Sequence, residues 1–285
     1  MWEALDGGSL EVLAPFILGA GLVLLRLGAC LAMVIELGQG IVPARSRVAL
    51  ALVLTVCLDL ALGGVAVPIP ASPAAVLVMA AREVVLGAAL GLAVRLVNAA
   101  AQMAGDLIGL SMGLSLSTLF DFTQGEMPLA TGRLFSLVAS LLFLALGGHL
   151  VVVASLYHHL HAYPVGVDLI DVPTLESLAR AIGHSLETAV ILAAPVLVVT
   201  LLLNVAMGFV MRLVPSVNLF NIGVGVLMVG GFVALALEGQ ALRVMMDREV
   251  ERLPEAMHEL AAPMPPPGLP GSPPGLPGPP TPAGP

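Results

Sequence analysis

Apolar runs long enough to cross a lipid bilayer recur along this chain and constrain its fold more than any other feature. About 20 consecutive apolar residues cross the hydrocarbon core as one helix. A bilayer offers no water to unpaired backbone groups, so such runs predict helices. The sequence therefore predicts an all-α fold of polytopic helical hairpins, with about six long apolar helices and one broken or re-entrant segment. The six runs are 12–35, 48–67, 74–97, 130–156, 188–211 and 219–237; the amphipathic segment 99–118 is doubtful as a span.

The composition supports a membrane protein and argues against nucleic-acid binding. Charged residues make up 11% of the chain and hydrophobic residues 58%, whereas soluble domains are about one quarter charged. The net charge is −8, and the 11 basic residues, all Arg, are dispersed. Because they form no basic patch, no nucleic-acid partner is expected.

The stretch 104–148 is the predicted gate. It starts as an apolar segment rich in small residues, continues into an irregular loop at 119–127, and becomes apolar again after Pro128. Irregular backbone at membrane depth is tolerated only where it is buried in protein or lines a water-filled path. Met112 and Leu114 belong to the core or form a deformable seal, since Met is flexible and polarizable.

Small residues in the same stretch predict close helix packing. Gly105, Gly109 and Gly113 recur every fourth residue, which gives two overlapping GxxxG patterns. Asp106 has small neighbours that allow another helix to approach. This aspartate is expected at a subunit seam or beside the loop.

Charged residues inside the apolar runs are expected either to pair between helices during assembly or to take part in gating a channel. Arg82 and Glu83 are adjacent in the third run, where charges are costly. Neighbours on a helix point about 100° apart, so each is expected to pair with another helix. A proton or ion relay and direct gating remain alternative roles for these two residues. The predicted assembly or gating charges are Arg26, Arg82, Glu83, Asp106, Arg133 and Arg212.

The orientation in the membrane is ambiguous. Arg45 and Arg47 place the first turn on the cytoplasmic side. If 99–118 does not span, Arg95 and Arg133 fall on the same side. The arginines of 238–260 then fall on the opposite side, against the charge rule.

Neither an enzyme nor a metal site is expected. The candidate metal-binding histidines are His149, His158, His159 and His161; two of them lie three residues apart, but zinc needs more ligands. No nucleophile–base, zinc-protease or phosphate-loop motif is found. No cofactor is predicted.

Six blocks follow one another along the chain: IVPARSRVALAL, AREVVLGAALGLAVRL, AGDLIGLSMGLSLSTLFD, MPLATGRLFSLVASLLFLALGGHLVVVASL, YPVG and APVLVVTLLLNVAMGFVMRLVPSVNLFNIG. In this order they resemble the FliR family of flagellar type III export-gate subunits, which is related to the SctT proteins of injectisomes. The resemblance covers about 13–238. In two places the chain departs from the family. Phe122 follows Asp121 where the family commonly has Pro, and Asp106 stands where it usually has Glu.

The resemblance implies a non-enzymatic subunit of the flagellar export gate in the bacterial inner membrane and basal body. One copy would join several FliP-like and FliQ-like subunits, with FlhB-like and FlhA-like proteins and membrane lipid as further partners. Unfolded flagellar proteins would be the cargo. A helical unit, 1–262, would comprise a FliP-like part, 1–187, and a FliQ-like hairpin, 188–240. The family's gate is displaced from the bilayer, so its hairpins need not obey the charge rule.

The resemblance also implies that the loop near 109–125 plugs the closed channel. The plug or pore residues are then Gly109, Met112, Gly113, Leu114, Leu119, Phe120, Asp121 and Phe122. Outside the resemblance, the segment 263–285 holds 12 Pro and 5 Gly and is expected to be disordered.

Two other functions remain as alternatives. A solute or ion transporter would use Arg82, Glu83 and Asp106 as its site. Transporters often contain internal repeats with paired broken helices, whereas this sequence has one broken region and no repeat. An intramembrane metalloenzyme would use the histidines but has no motif.

Overall fold

A computed structural model shows helices throughout the part of the chain that it describes. It describes residues 7–35, 43–70, 72–114, 130–166, 175–213, 219–237 and 239–261. Within these ranges the regular structure is helical, which confirms the predicted fold class. The helices are α1 (Gly7–Ile35), α2 (Ala44–Ala61), α3 (Pro73–Ser111), α4 (Ala130–Ala145), α5 (Gly148–Ala162), α6 (Leu175–Leu213), α7 (Leu219–Leu237) and α8 (Gly239–Ala261).

Helix α3 is the centre of the fold. It packs against α1, α4, α6 and α8, and its inner residues, including Leu90, Ala101 and Ile108, are fully buried. The side chain of Ser72 caps its first turn by accepting a hydrogen bond from the Ala75 N–H at 3.3 Å. Pro73 follows at the first helical position, where the missing N–H costs nothing. These local signals begin the helix where the sequence predicts it.

The structure joins two predicted segments into one helix. The runs 74–97 and 99–118 were expected to be separate, but α3 is continuous for 39 residues. Asn98, at the expected junction, donates from its side-chain amide to the Ser136 hydroxyl of α4 at 3.0 Å. Because that amide bonds to α4 rather than to the local backbone, the helix continues through it.

The predicted second run ends early. Helix α2 stops at Ala61, and Gly63 and Gly64 follow with positive φ values of 82° and 83°. The Asp59 carboxylate accepts a hydrogen bond from the Val65 N–H at 3.0 Å. The chain then returns to the start of α1, where the Val67 N–H donates to the Pro15 carbonyl. Helix α2 is therefore antiparallel to α1.

The predicted fifth run is bent into two helices. Gly147 has φ +76° and separates α4 from α5, whose axes differ by 66°. Gly148 lies against the Phe143 ring, so a side chain there would overlap it. The glycine pair therefore makes an elbow.

Three of the described helices are long and apolar enough to cross a membrane, and five spans result if each bent pair counts as one. Many of their large apolar side chains are exposed, such as Leu141, Leu201 and Phe209. The last helix, α8, differs in character. It buries one apolar stripe and exposes a charged face; the stripe consists of Leu242, Met246, Val250, Leu253, Met257 and Leu260.

Candidate functional site

A buried ion pair joins α1 to α3. The Arg26 Nε lies 2.6 Å from the Glu83 Oε2, and the two side chains are 0% and 4% exposed. The residues are 57 positions apart in the chain. Glu83 therefore pairs across to another helix rather than with its neighbour Arg82, as the helix geometry predicts.

The same pair reaches the end of α5. The Arg26 guanidinium donates to the Tyr163 carbonyl at 2.8 Å, and its Nη1 lies 3.5 Å from the buried His159 ring. The second Glu83 oxygen accepts a hydrogen bond from the Gly166 N–H at 3.2 Å. Three separate parts of the chain are thus held at one charged centre, here called the charge centre: Arg26, Glu83, His159, Tyr163 and Gly166.

Burying the charge centre costs desolvation free energy. Burying an ion pair is favourable only when its geometry is good and the remaining hydrogen-bonding groups are satisfied. Most groups here meet that condition, but the buried Arg26 Nη2 makes no hydrogen bond within the described part of the chain. Loss of either charged partner would leave the other buried without compensation.

Tight backbone contact surrounds the charge centre. A Cβ at Gly87 would overlap the Arg26 carbonyl, and one at Gly91 would overlap the Cys30 carbonyl. Both glycines lie on α3, four residues apart, which is the small-residue pattern that lets helices approach closely. This glycine pair was not predicted, although its spacing is visible in the sequence; the later glycines were predicted instead.

The later glycines serve a second contact, between α3 and α4. A Cβ at Gly105 would lie 2.7 Å from the Thr131 carbonyl oxygen and 2.8 Å from the Gly132 Cα. The Asp106 carboxylate lies directly against Gly132. The close helix approach predicted for this stretch is therefore observed, and Asp106 lies at the seam between α3 and α4.

The C-terminal end of α3 is a defined stop. Gly113 has φ +79°, its N–H donates to the Leu110 carbonyl, and the Leu114 N–H donates to the Gly109 carbonyl. This hydrogen-bond pattern, with glycine in the left-handed region, terminates helices. Gly109 and Gly113 thus have a structural role here.

Met112 is fully buried and lies against the backbone of Gly231 in α7. This contact corresponds to the core alternative for Met112, and a role in the plug stays a prediction. The plug residues Leu119, Phe120, Asp121 and Phe122 lie outside the described residues. The segment 263–285 does too.

Of the six predicted charges, the charge centre contains Arg26 and Glu83. Arg82 is half-buried, whereas Arg133 and Arg212 are exposed near the start of α4 and the end of α6. Asp106 lies 23 residues beyond Glu83 on the continuous α3, a separation of about 35 Å at 1.5 Å per residue. Glu83 and Asp106 therefore do not share one site.

The three histidines near the end of α5 divide between two settings. His159 belongs to the charge centre, while the rings of His158 and His161 lie against Tyr157. Among the described residues no three His, Cys, Asp or Glu side chains converge as a metal site.

A polar cluster between α6 and α8 was not predicted. The His184 Nε2 lies 3.1 Å from the Glu249 Oε1, and Arg252 approaches the same ring at 2.9 Å. The Thr188 hydroxyl donates to the same Glu249 oxygen at 3.4 Å. The alternation of charge in 238–260 was a signal for a partnered helix, but only the fold identifies α6 as the partner.

We expect Glu249→Ala to loosen the docking of α8. The substitution removes the carboxylate that His184 and Thr188 contact, and hydrogen bonds to charged groups contribute about 1.5–3 kcal/mol. Proteolysis within α8 of the detergent-solubilised chain should therefore accelerate about tenfold. Glu255→Ala, on an exposed position of the same helix, is the control and should leave the rate unchanged. Equal rates for both variants would contradict this role.

The comparisons with known proteins point in one direction. The sequence model of a family described as bacterial export proteins, family 1, matches residues 17–253. Curated relatives described as "Flagellar biosynthetic protein FliR" include one from Caulobacter vibrioides, 30% identical over 82% of this chain and 94% of the relative. The Escherichia coli relative is 32% identical over 70% of this chain and 76% of its own length. The Pectobacterium carotovorum relative is 33% identical over 55% of this chain, and the aligned part spans 60% of that protein.

Proposed function

Because the chain belongs to the FliR family of bacterial export proteins and is a membrane-embedded component of flagellar protein export, we propose that it forms part of a closed export channel. In this proposal the segment near 109–125 plugs the channel, and unfolded flagellar proteins pass when it moves. The chain is a non-enzymatic subunit of the bacterial inner membrane.

The geometry around α3 and α4 is the observation that supports a plug. The two helices are antiparallel, since Asn98 bonds to Ser136 while Gly105 meets Thr131. The residues 115–129 therefore connect two helices whose packing fixes both attachment points. A short connection anchored in this way can close a path without weakening the helical body around it.

Exposed apolar surface supports a hetero-oligomer. Monomeric soluble proteins rarely expose contiguous apolar patches beyond a few hundred Å². Here large apolar side chains are exposed on nearly every described helix, including Leu60, Leu77, Leu150 and Leu213. Lipid and other subunits would cover them. The proposed protein partners are FliP-like and FliQ-like subunits, with one copy of this chain, together with FlhB-like and FlhA-like proteins.

The helical hairpin of α6 and α7 fits the proposed FliQ-like part, 188–240. These two helices pack against each other, and the outer half of α6 exposes Leu201, Val205 and Phe209. The preceding part, 1–187, would be FliP-like. The charge centre lies wholly in this first part and would set the relative positions of α1, α3 and α5 within the channel wall.

Deletion of 115–122 tests the plug. If this segment closes the path, its removal should make the inner membrane leak small solutes while the complex still assembles. Uptake of a small fluorescent solute by the cells measures the leak, and affinity purification of a tagged chain measures assembly.

A deletion of the same length in the C-terminal segment, 268–275, is the matched control. This region lies outside the family match, so its loss should change neither readout. If the 115–122 deletion left the solute permeability of the inner membrane unchanged while the complex was still recovered, the plug hypothesis would be wrong.

A further inference from the structure

The side chain of Met112 joins the C-terminal end of α3 to α7. Met112 is the residue directly after α3, and it is fully buried. A Cβ added at Gly231 of α7 would lie 2.5 Å from the Met112 Cε and 2.6 Å from its Cγ. These distances are too short for a real Cβ, so the methionine fits there because residue 231 is a glycine. Met112 thus occupies a notch in α7.

The neighbouring glycine receives a side chain from a different helix. A Cβ at Gly230 would overlap the Leu203 side chain of α6. Consecutive residues of a helix point about 100° apart, so the two glycines open to different faces of α7. The pair therefore places α7 between α6, which contributes Leu203, and the end of α3, which contributes Met112.

The part of α6 and α7 beyond this level is packed less tightly against α3. Helix α6 is buried as far as Thr200, after which large side chains such as Phe209 are exposed. Pro195, just before this change, removes a backbone hydrogen bond inside α6, and such positions let helices bend. We call 201–213 of α6 together with 219–231 of α7 the outer part of the hairpin.

The contact between α7 and the rest of the chain is incomplete near the notch. Leu235 lies one turn after Gly231 on the same face of α7. It borders an apolar cavity of about 160 Å³ that it shares with Phe135 of α4. Since this space is not filled by the described side chains, α7 has room to shift, and Met112 is a link between α7 and α3.

The link is of a kind that can separate. Helices α1 and α4 meet α3 through backbone contacts at Gly87 and Gly105, whereas α7 meets its end through a methionine. A methionine side chain is unbranched, flexible and polarizable, so it fits an irregular space and adapts when its surroundings change.

We propose that the contact between Met112 and Gly231 is a latch that holds the outer part of the hairpin to the end of α3. In the closed channel Met112 lies in the notch. During export the outer part moves away from α3, and Met112 leaves Gly231. The inference rests on the proposed channel, because it names a contact that separates when the channel opens.

A reversible cross-link in the full-length chain tests the latch in cells. Met112→Cys combined with Gly231→Cys brings two thiols together, because the Met112 Cγ lies 2.6 Å from a Cβ at residue 231 and the two Cβ atoms are then within disulfide range. Every chain, including the reference, also carries Cys30→Ala and Cys57→Ala to remove the natural thiols. We expect an oxidant to form the cross-link and to stop most secretion of flagellar proteins, and a reductant to restore it.

The matched control is Leu203→Cys combined with Gly230→Cys, which joins α6 to α7 within the outer part. Its oxidation should leave secretion unchanged. Normal secretion with the 112–231 cross-link formed, or an equal block by both cross-links, would overturn the latch. Failure of the thiols at 112 and 231 to cross-link in the complex would overturn it too.

An exchange of side-chain sizes tests the contact without a cross-link. Gly231→Leu should displace Met112 and accelerate hydrogen exchange at the amides of Gly113 and Leu114 by about tenfold or more. Met112→Ala combined with Gly231→Leu fills the notch from α7 and should bring the rate back towards that of the wild type. Gly225→Leu, at an exposed position with no neighbour within 4 Å, is the control. If the double variant exchanges as fast as Gly231→Leu, the notch does not hold the end of α3.

The latch and the plug can fail separately. If deletion of 115–122 causes no leak while the 112–231 cross-link still blocks secretion reversibly, the plug is wrong and the latch stands. If the deletion causes a leak and the cross-link has no effect on secretion, the latch alone is overturned.

Discussion

We expect Glu83→Ala to reduce strongly the yield of the folded chain and of its assembled complex. The substitution leaves the Arg26 guanidinium buried, with its Nε unpaired, and removes the acceptor for the Gly166 N–H. Breaking a buried ion pair in this way costs about 3–5 kcal/mol, a large part of the about 5–15 kcal/mol that stabilises a typical protein. The measurement is the yield of monodisperse protein in mild detergent and the temperature at which it is lost.

Two further variants show whether Glu83→Ala is destabilising because it leaves the buried Arg26 charge unpaired. Glu187→Ala, at an exposed carboxylate of α6, is the matched control and should change stability by less than about 0.5 kcal/mol. Arg26→Met combined with Glu83→Leu replaces the pair by apolar side chains, which is often neutral or stabilising. This double variant should recover the yield that Glu83→Ala loses.

Export in the double variant decides what the charge centre is for. If the charges fix assembly, the double variant should assemble and also export flagellar proteins. A normal complex that does not export, in Glu83→Ala or in the double variant, would contradict the assembly role and assign the pair to gating.

Gly87→Ala is expected to have the second-largest effect, although it adds a single methyl group. The new Cβ would overlap the Arg26 carbonyl, so α1 and α3 would have to separate. Overpacking of this kind costs about 1–3 kcal/mol. The cost should lie at the upper end because the displaced group is backbone and cannot rotate away, and because the displacement pulls Arg26 from Glu83.

Thermal stability of the purified chain tests this prediction. Gly21→Ala is the matched control, because Gly21 is exposed on α1 and a Cβ there meets nothing within 4 Å. It should be neutral or stabilising by about 0.5–1 kcal/mol, since Ala favours a helix over Gly. Equal stability of the two variants would show that the α1–α3 contact is looser than the structure indicates.

The family resemblance and the spacing of apolar residues predicted much of this protein. Run length alone indicated an all-helical membrane protein, and the ordered blocks identified the FliR family, which the match over 17–253 confirms. The glycine repeat predicted a close helix contact, which is observed at Gly105. Each of these signals depends on neighbouring or regularly spaced residues, so it is visible in the sequence itself.

Other features required the fold because they join distant residues. The sequence identified Arg26 and Glu83 as costly charges, but not as partners. The same spacing of glycines occurs at Gly87 and Gly91 as at Gly105 and Gly109, and the pattern does not say which helix each pair meets. The junction at Asn98 looked like a break until the structure showed its side chain bonded to α4.

The sequence by itself determined that this chain forms membrane-length helices and to which family it belongs. It could do so because hydrophobicity, helix period and block order are properties of neighbouring residues. Only the tertiary structure decided that α3 is one continuous central helix, that Arg26 meets Glu83 beside α5, and that α4 packs antiparallel against α3. These depend on which helix faces which, and that choice is made by the summed packing of the whole chain rather than by any one segment.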